Sequence, residues 1–355
     1  MEFGMPPTHT RMSRSDLGTE AGTSTSLGDL LLQVSDLRTY FDSREGTVRA
    51  VDGVSFDLHR GETLGIAGES GCGKSVTAQS ILRIVPKNGR IVSGSIVFHQ
   101  SGTPVNLTDL EWDGKAIRSI RGAEVSLIFQ EPMAAFSTVY TIGNQIMEVI
   151  RLHQGCSKKE ARARAISMLQ RVGMPKPEQT IDAYPWAISG GMRQRAMIAM
   201  SLACNPSLLI ADEPTTAVDV TIQAQVLGLI KELQQQLQMG LIIITHDLAV
   251  IAEMCDRVMV MYLGRDVESG PVDEVFRSPK HPYTVALLNS VPVLGEGKAQ
   301  KIEAIGGSVP SPLAAPQGCP FHPRCAHFIE GTCDGQFPPT RQVGPDHMVS
   351  CYLYD

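Results

Sequence analysis

The chain has 355 residues, of which 43% are hydrophobic and 19% are charged, and its formal net charge is −6. This balance is typical of a globular protein with a sizeable core, and the length allows one large domain and a smaller one. A negative net charge gives no basic field that would attract nucleic acid, so nucleic acid is not predicted as a partner. The longest apolar runs, such as residues 241–244, are far shorter than the about 20 residues that cross a bilayer.

Residues 1–28 are rich in Ser, Thr, Gly and Pro and contain no apolar segment of the kind found in secretory signals. We therefore predict a disordered tail over 1–28 and a soluble, cytoplasmic protein that reaches a membrane only through a partner. The chain contains 8 cysteines. Without a secretory signal, they favour a reducing compartment and metal or cluster chemistry over disulfides.

Strand patterns begin at residue 30 and predict an antiparallel β lead-in. The predicted strands cover 31–34, 37–41, 49–51 and 54–58, with a turn at 42–46. Phe41, or Tyr40 beside it, could stack on an adenine ring. Aromatic residues also favour strands for ordinary packing, so both interpretations stay open at this point.

The loop at residues 68–75 reads Gly-Glu-Ser-Gly-Cys-Gly-Lys-Ser and fits the phosphate-binding pattern G-x-x-x-x-G-K-[ST] at every fixed position. Its setting also fits, because 63–67 predicts a short buried strand and 75–84 predicts a helix. A glycine-rich turn with a chance lysine is the alternative, and this setting disfavours it. We therefore predict a nucleoside triphosphate site.

The chemistry of this loop is electrostatic. Glycines let several backbone N–H groups point at one anion, and the N-terminus of the following helix adds positive charge. Lys74 would reach the β- and γ-phosphates, and the Ser75 hydroxyl would ligate Mg²⁺. The residues predicted to bind nucleotide here are Gly68, Ser70, Gly71, Gly73, Lys74, Ser75 and Val76.

A helical insert is predicted after the first βα unit. Residues 94–98 and 125–129 have strand patterns, and the second of these ends at Gln130. Residues 141–171 are predicted to be helical, because apolar residues recur at helix spacing. Within this stretch, Ser157 and Glu160 form a capping box that starts a new helix.

Residues 188–195 read Ile-Ser-Gly-Gly-Met-Arg-Gln-Arg and open a helix rich in alanine and methionine that continues to residue 202. Taken alone, Ser189, Gly190 and Gly191 are an ordinary capped helix N-terminus.

A buried strand predicted at 208–213 ends in two adjacent carboxylates, Asp212 and Glu213. Isolated acids at a strand end would be unremarkable, but the phosphate loop upstream lacks a carboxylate for Mg²⁺. We therefore predict that Asp212 helps to hold Mg²⁺ and that Glu213 orients or deprotonates the attacking water.

The next helix is predicted from apolar residues at steps of three or four, and Gly240 is predicted to close it. A strand at 241–244 then leads to His246, which lies where ligands bind at the carboxyl ends of parallel strands. His246 is therefore a candidate contact for the γ-phosphate. A last strand is predicted at 258–262.

Together these motifs resemble the ATP-binding subunit of ATP-binding cassette (ABC) transporters over residues 30–288. The resemblance rests on the order of the phosphate loop, Gln130, the 188–195 signature, the 208–213 strand, Ala-Val-Asp at 217–219 and His246. It implies an α/β fold of the P-loop NTPase cassette type, with a RecA-like core, an antiparallel β lead-in and a helical subdomain at about 132–205. Residues 281–284, 307–312 and 318–325 resemble the C-terminal extension of the oligopeptide/dipeptide importer subfamily. The implied domains are a cassette at 29–288 and a small Cys-rich extension at 289–355.

The resemblance also implies residue roles. Two cassettes would meet head to tail and enclose two ATP molecules with Mg²⁺. One subunit would supply the phosphate loop and a catalytic and Mg²⁺-binding group, namely Gln130, Asp212, Glu213 and His246. The partner would supply the signature residues Ser189, Gly190 and Gly191. Asp219 would lie in the loop that couples the two sites, and Phe41 aligns best with the aromatic residue that stacks on adenine.

The C-terminal segment contains four cysteines, Cys319, Cys325, Cys333 and Cys351. Because this segment has little apolar content, four thiolates would hold it together around zinc or an iron–sulfur cluster. Zinc ribbons usually contain C-x2-4-C pairs, which are absent. Dipeptide-importer cassettes that this chain resembles carry a four-iron cluster at this motif, so a [4Fe–4S] cluster is expected. His322 and His327 are reserve ligands, and the other cysteines are interpreted as ordinary small residues.

The function implied by the resemblance is ATP hydrolysis that drives import of dipeptides or oligopeptides. The implied partners are a second, related ATP-binding subunit, two transmembrane permease subunits and an extracytoplasmic solute-binding protein. The implied location is the cytoplasmic face of the inner membrane. A soluble cassette ATPase acting on ribosomes or DNA is the alternative, although such proteins usually carry two cassettes or a coiled-coil insert. A P-loop kinase or GTPase would leave the 189–191 signature unexplained.

Overall fold

The structure is a computed structural model that describes residues 30–100, 103–215, 220–290 and 305–355. The tail predicted at residues 1–28 lies outside these residues. In chain order the strands are β1 (Leu30–Ser43), β2 (Gly46–His59), β3 (Thr63–Ala67), β4 (Gly89–Gln100), β5 (Thr103–Asn106), β6 (Val125–Ile128), β7 (Leu208–Asp212), β8 (Gly240–Ile244), β9 (Arg257–Tyr262), β10 (Arg265–Pro271), β11 (Thr340–Gly344) and β12 (His347–Ser350).

The helices, numbered in the same way, are α1 (Lys74–Ile81), α2 (Lys115–Ile120), α3 (Pro132–Ala135), α4 (Ile142–Gln154), α5 (Lys158–Arg171), α6 (Pro177–Thr180), α7 (Gly190–Ser201), α8 (Val220–Leu237), α9 (Leu248–Met254), α10 (Val272–Arg277) and α11 (Pro282–Asn289).

The N-terminal half of the cassette contains an antiparallel sheet in the order β2-β1-β4-β5. The four short strands predicted before the phosphate loop are two long ones, because bulges in β1 keep the chain extended where the polar residues interrupt the pattern. The two strands pair from the turn outward, with Ser43 opposite Gly46 and Phe41 opposite Val48. The antiparallel β lead-in is therefore present as predicted, but β1 and β2 are longer than the predicted strands.

A mixed sheet in the order β11-β12-β10-β9-β3-β8-β7-β6 forms the centre of the protein. Strands β9, β3, β8, β7 and β6 run parallel. Every residue of β3, β7 and β8 is buried, as expected for parallel strands covered on both faces. Because neighbouring parallel strands end at the same edge, the segments after β3, β7 and β8 lie side by side.

The part of the chain between β6 and β7 forms a layer of helices. The stretch predicted as helical at 141–171 is divided between α4 and α5, because Gly155 ends α4 in the left-handed conformation with φ of 59°. The capping box predicted at Ser157 and Glu160 is confirmed, since both of its hydrogen bonds are present. Helices α4, α5 and α7 pack together around buried aliphatic side chains, including Ile150 and Leu169.

The role predicted for Gly240 is wrong. Helix α8 ends at Leu237, and Gln238, with φ of 50°, turns the chain in place of a glycine. Gly240 is instead the first residue of β8. A Cβ atom there would lie 2.5 Å from Cδ2 of Leu31, so a larger residue would force this leucine to move where the two sheets approach closely.

The C-terminal extension continues the central sheet. Strand β12 pairs antiparallel with β10, and β11 pairs with β12. The sequence patterns did not predict these strands. On the side of the sheet next to β9, the rings of Tyr262, Tyr283 and Phe321 pack with centroids 4.6 to 5.4 Å apart. The extension is thus joined to the cassette by backbone pairing and by an aromatic cluster.

Candidate active site

The phosphate loop connects β3 to α1, as the sequence predicts. Gly68, Gly71 and Gly73 have φ angles of 149°, 79° and 106°. A Cβ on Gly68 would lie 2.3 Å from the Met261 carbonyl oxygen, and one on Gly73 would lie 2.2 Å from that of Ala50. Only glycine therefore allows the loop to close over the strand ends. Ser70 and Gly71 form its exposed outer turn.

Lys74 lies inside this loop and is 5% exposed. Its Nζ donates to the carbonyl oxygens of Gly68, at 2.7 Å, and Glu69, at 3.0 Å. The loop thus surrounds a buried ammonium group at the start of a helix. Such an arrangement fits a phosphate group, because the positive charge and the helix N-terminus are both directed at the same place. Val76 follows on α1 and packs against the core of the N-terminal sheet.

The Ser75 hydroxyl donates to Oδ1 of Asp212 over 3.0 Å. Asp212 ends β7 and is 8% exposed. Burial raises the pKa of this carboxyl group above its usual range, the Ser75 hydrogen bond lowers it, and the neighbouring Glu213 charge raises it. Hydroxyl and carboxylate oxygens are ligands that Mg²⁺ takes together with phosphate oxygens, so this pair fits a magnesium ion.

Glu213 lies at the centre of a second group of polar side chains. Gln130 Nε2 donates to its Oε2 at 2.9 Å, and His246 Nδ1 lies 3.2 Å from its Oε1. The backbone of Glu213 has φ of 46°, in the left-handed region that non-glycine residues seldom adopt. Its N–H donates to the carbonyl of Ile244 in β8, which holds that conformation. The structure therefore brings together Gln130, Glu213 and His246, as the sequence predicts.

The signature residues begin α7, as predicted. Ser189 is the N-cap, and its hydroxyl accepts a hydrogen bond from the Met192 N–H at 3.3 Å. Further along this helix, the Gln194 amide contacts the Pro214 carbonyl, next to Glu213. Gly190 itself is exposed at the helix start. The chain thus presents an open helix N-terminus on the helical layer.

Three predicted residues remain, namely the two candidates for adenine stacking, Phe41 and Tyr40, and the coupling residue Asp219. Phe41 is half-buried near the end of β1, where its ring packs beside Gly89 and would lie 2.6 Å from a Cβ at that position. The Tyr40 hydroxyl donates to Asp52 at 2.6 Å. Adenine stacking by Phe41 stays a prediction. Asp219 lies outside the described residues.

Tyr283, shortly before the C-terminal extension, and Arg324, within it, reach the phosphate loop, and the sequence patterns did not predict these contacts. The Tyr283 hydroxyl accepts a hydrogen bond from the Glu69 N–H at 2.8 Å. The Arg324 guanidinium forms an ion pair with the Glu69 carboxylate at 2.8 Å. Both residues lie in segments, 281–284 and 318–325, that resemble the importer subfamily. No local pattern links them to a loop that is more than 200 residues away in the chain.

The expected iron–sulfur cluster is a wrong prediction. Within the parts of the chain that the structure describes, no group of three or more His, Cys, Asp and Glu side chains is arranged to hold a metal ion. The four C-terminal cysteines line a small cavity of about 20 Å³, which has room for about one water molecule. The cysteines that line it are Cys319, Cys325, Cys333 and Cys351.

These four cysteines pack as small side chains inside the C-terminal extension. Burial raises the pKa of the Cys319 thiol to about 12 and also raises the pKa values of Cys325 and Cys351. A buried neutral thiol behaves as a small apolar side chain. Cys319 belongs to the apolar cluster that contains Tyr283 and Phe321. His322 and His327 line the same small cavity.

Among the helices of the described residues, none combines the length and the apolar character that a membrane span requires.

Comparison with known families identifies two matching regions. A family described as "ABC transporter" matches residues 51–216, and one described as "Oligopeptide/dipeptide transporter, C-terminal region" matches residues 267–333. A putative peptide import ATP-binding protein of Brucella melitensis is 48% identical over 90% of this chain and 96% of its own length. The oligopeptide transport ATP-binding protein AppD of Bacillus subtilis is 48% identical, over 92% of this chain and 97% of its own. The dipeptide transport ATP-binding protein DppD of Haemophilus influenzae is 46% identical, over 91% and 95%.

Solved structures show the same fold. A bacterial ABC transporter cassette, solved as a dimer, matches with a TM-score of 0.60 at 23% identity and covers 68% of this chain and 99% of that one. CbiO1 of Clostridium perfringens, part of an ABC transporter complex, matches with a TM-score of 0.57 at 28% identity, over 70% of this chain and 92% of that one. The predicted α/β fold class, a P-loop cassette, is confirmed.

Proposed function

The chain belongs to the ABC transporter family of ATP-binding proteins, and on this basis we propose that it is the ATP-hydrolysing subunit of a membrane importer for dipeptides or oligopeptides. ATP binding and hydrolysis by this subunit would drive separate permease subunits. The protein would act as a peripheral subunit at the cytoplasmic face of the inner membrane.

The observation that carries the hydrolytic part of this proposal is the convergence of three groups at one sheet edge. Lys74 begins α1 at the end of the phosphate loop, Asp212 ends β7 beside Ser75, and His246 follows β8 beside Glu213. Phosphoryl transfer depends on positioning and charge stabilisation more than on covalent chemistry. An ammonium, a hydroxyl–carboxylate pair and an oriented carboxylate side by side provide both.

Bound ATP with Mg²⁺ would supply the transferable phosphoryl group and neutralise part of its charge. Backbone N–H groups of the phosphate loop would hold the phosphates, and Lys74 would turn from the loop carbonyl oxygens toward them. Ser75 and Asp212 would hold the metal, with Gln130 beside them. The Glu213 carboxylate would accept a proton from the attacking water, while Gln130 and His246 fix its two oxygens in place.

The second half of each site would come from a partner cassette. Ser189, Gly190 and Gly191 would direct the N-terminus of α7 at the γ-phosphate held by the partner. Asp219 would couple the two sites, and Phe41 would stack on adenine. A related second ATP-binding subunit, two permease subunits and a solute-binding protein complete the proposed importer.

The cargo is proposed from the relatives, which are named for peptide, oligopeptide and dipeptide transport. The C-terminal region of this chain also matches the family named for oligopeptide and dipeptide transporters. The alternative of a soluble cassette ATPase on ribosomes or DNA has no support among these relatives.

The proposal is tested by reconstituting the chain with its permease and second ATP-binding subunit in proteoliposomes. We expect ATP hydrolysis to increase when the solute-binding protein loaded with peptide is added, and labelled peptide to accumulate inside. Hydrolysis that responds to ribosomes or DNA, and never to the loaded binding protein, would contradict it.

A further inference from the structure

The C-terminal extension contacts the phosphate loop through the buried side chain of Arg324. Nη1 of Arg324 donates to Oε2 of Glu69 at 2.8 Å, and Nη2 donates to Oε1 at 3.3 Å. The Arg324 side chain is only 4% exposed. Two parallel hydrogen bonds between a guanidinium and a carboxylate fix the orientation of the carboxylate as well as its distance.

The position of Arg324 is itself fixed from several sides. Its Nε donates to the Gly306 carbonyl at 2.9 Å, and its Nη2 also donates to the Ile305 carbonyl at 3.3 Å. Its Nη1 contacts the Tyr262 hydroxyl at 3.1 Å, and its charged carbon lies 5.8 Å from the ring centre of Phe321. All three guanidinium nitrogens therefore have hydrogen-bond partners, and the group is suited to position another one.

Glu69 connects Arg324 to Lys74, the lysine proposed to bind the nucleotide. Its N–H donates to the hydroxyl of Tyr283, a fully buried residue, at 2.8 Å. Its carbonyl oxygen accepts from Lys74 Nζ at 3.0 Å. All three polar groups of Glu69 are thus engaged, two by residues near or in the extension and one by Lys74.

We infer that Arg324 is a positioning residue for nucleotide binding, through which the C-terminal extension sets the conformation and the charge of the phosphate loop. This inference rests on the proposed function. Without Arg324, Glu69 is a carboxylate without its cation, next to the place where phosphates bind. Repulsion of the nucleotide and greater freedom of the loop then both weaken binding.

The test uses ATP affinity of the full chain, measured by calorimetry in EDTA and again with Mg²⁺. For Arg324→Gln we expect ATP binding to weaken roughly tenfold, the size expected when one charge-assisted pair is removed. Glu69→Gln removes the carboxylate together with its repulsion, so it weakens binding by only about twofold. The double variant should bind like Glu69→Gln, which means that the second change rescues the first.

This rescue separates positioning from a merely structural role. If Arg324 served only to hold the extension together, the double variant would bind as weakly as Arg324→Gln, and the inference would fail. Equal binding by wild type and Arg324→Gln would also overturn it. Arg341→Gln is the matched control, because it removes an exposed arginine paired with Asp355 in the same extension and should leave affinity unchanged.

Failure of the proposed function, failure of this inference and misfolding of a variant give different results. A wild-type chain that binds no ATP contradicts the proposed function itself, whereas binding that is insensitive to Arg324 contradicts only this inference. Thermal unfolding checks that each variant folds. If Arg324→Gln does not fold, Arg324→Lys replaces it. That variant keeps the charge but loses the two parallel hydrogen bonds, and it should bind about threefold more weakly than wild type. Wild-type affinity in a folded Arg324→Lys protein would overturn the inference.

Discussion

The Ser75 hydroxyl lies 3.0 Å from the Asp212 carboxylate and joins the first turn of α1 to the end of β7. This contact crosses 137 residues of sequence and fixes the two groups that are proposed to hold Mg²⁺. Each of the two groups contributes an oxygen of the kind that would hold the ion together with phosphate oxygens.

Asp212→Asn should raise the Mg²⁺ concentration needed for half-maximal ATP hydrolysis by about 10- to 100-fold, the range found when groups of a metal site are altered. The reason is the loss of the charged ligand at the end of β7. Because burial raises the pKa of Asp212, its carboxylate takes up a proton at a higher pH than an ordinary carboxyl group. Wild-type Mg²⁺ affinity should therefore fall as pH is lowered, and the Asn variant should lack that part of the pH dependence.

The measurement is a Mg²⁺ titration of steady-state phosphate release at several pH values. Asp182→Asn is the control, because Asp182 is a surface carboxylate, 62% exposed, paired with Arg162. An unchanged Mg²⁺ requirement in Asp212→Asn would remove Asp212 from the metal site.

Glu213→Gln should keep ATP binding and lose most steady-state hydrolysis, by about 10²- to 10⁴-fold, the usual range for a general base. Glutamine has nearly the same shape, so Gln130 and the strained backbone at this position can stay in place. It cannot accept the proton of water. Calorimetric ATP binding and phosphate release on the same preparation check both halves of the prediction.

Glu232→Gln, on the exposed side of α8, is the comparison for this change. Turnover of Glu213→Gln at the wild-type rate would show that another group activates the water.

Asp266→Asn should stabilise the protein increasingly as pH rises. Burial raises the pKa of Asp266 to about 7, and its own backbone and the Arg265 charge lower it by less. An unfolded Asp ionises near about 4, so between these two values the folded state holds a proton that the unfolded state has lost. The stability of the wild-type chain therefore falls as pH rises through this window, and the neutral Asn avoids that loss.

The check is the difference in melting temperature between Asp266→Asn and wild type at pH values from 4 to about 8. We expect the difference to grow up to about pH 7 and then to level off. A difference that is constant with pH would show that Asp266 is not ionised against a burial penalty in the folded protein.

Gly240→Ala should destabilise the fold by about 1 to 3 kcal/mol, the usual effect of overpacking a core. The new Cβ would lie 2.5 Å from Leu31 and 3.1 Å from Leu58, so the two sheets must separate slightly or the leucines must move. Gly228→Ala is the matched control, because nothing lies within 4 Å of its Cβ position and it is inside α8. That change should stabilise the protein by about 0.5 to 1 kcal/mol.

Denaturant titration of both variants gives the two free energies of unfolding. A Gly240→Ala protein as stable as wild type would mean that the two sheets are not tightly packed where β8 begins.

Features that depend on a few neighbouring residues were predictable from the sequence. The phosphate loop, the helix starts at Ser157 and Ser189, and the carboxylates at the end of β7 were identified because each carries its own local pattern. Gln130 and His246 lie beside Glu213 because a parallel sheet brings successive strand ends to one edge, and their catalytic roles stay predictions.

Features that depend on distant residues were not predictable in this way. The role of Gly240 is set by Leu31 on another sheet, not by the helix before it. The pair between Arg324 and Glu69 joins residues 255 positions apart, and β12 pairs with a strand about 80 positions earlier. For the four C-terminal cysteines, spacing and resemblance suggested a cluster, whereas no group of side chains in the described residues is arranged to hold a metal ion.

The most direct test of the central claim is purification of the tagged chain from native membranes in mild detergent, followed by mass spectrometry of the proteins that accompany it. We predict recovery of two polytopic membrane proteins and a second ATP-binding subunit in similar amounts, with a solute-binding protein when peptide is present. Recovery of ribosomal or DNA-bound proteins without any membrane protein would leave the ATPase site intact and contradict the assignment to an importer.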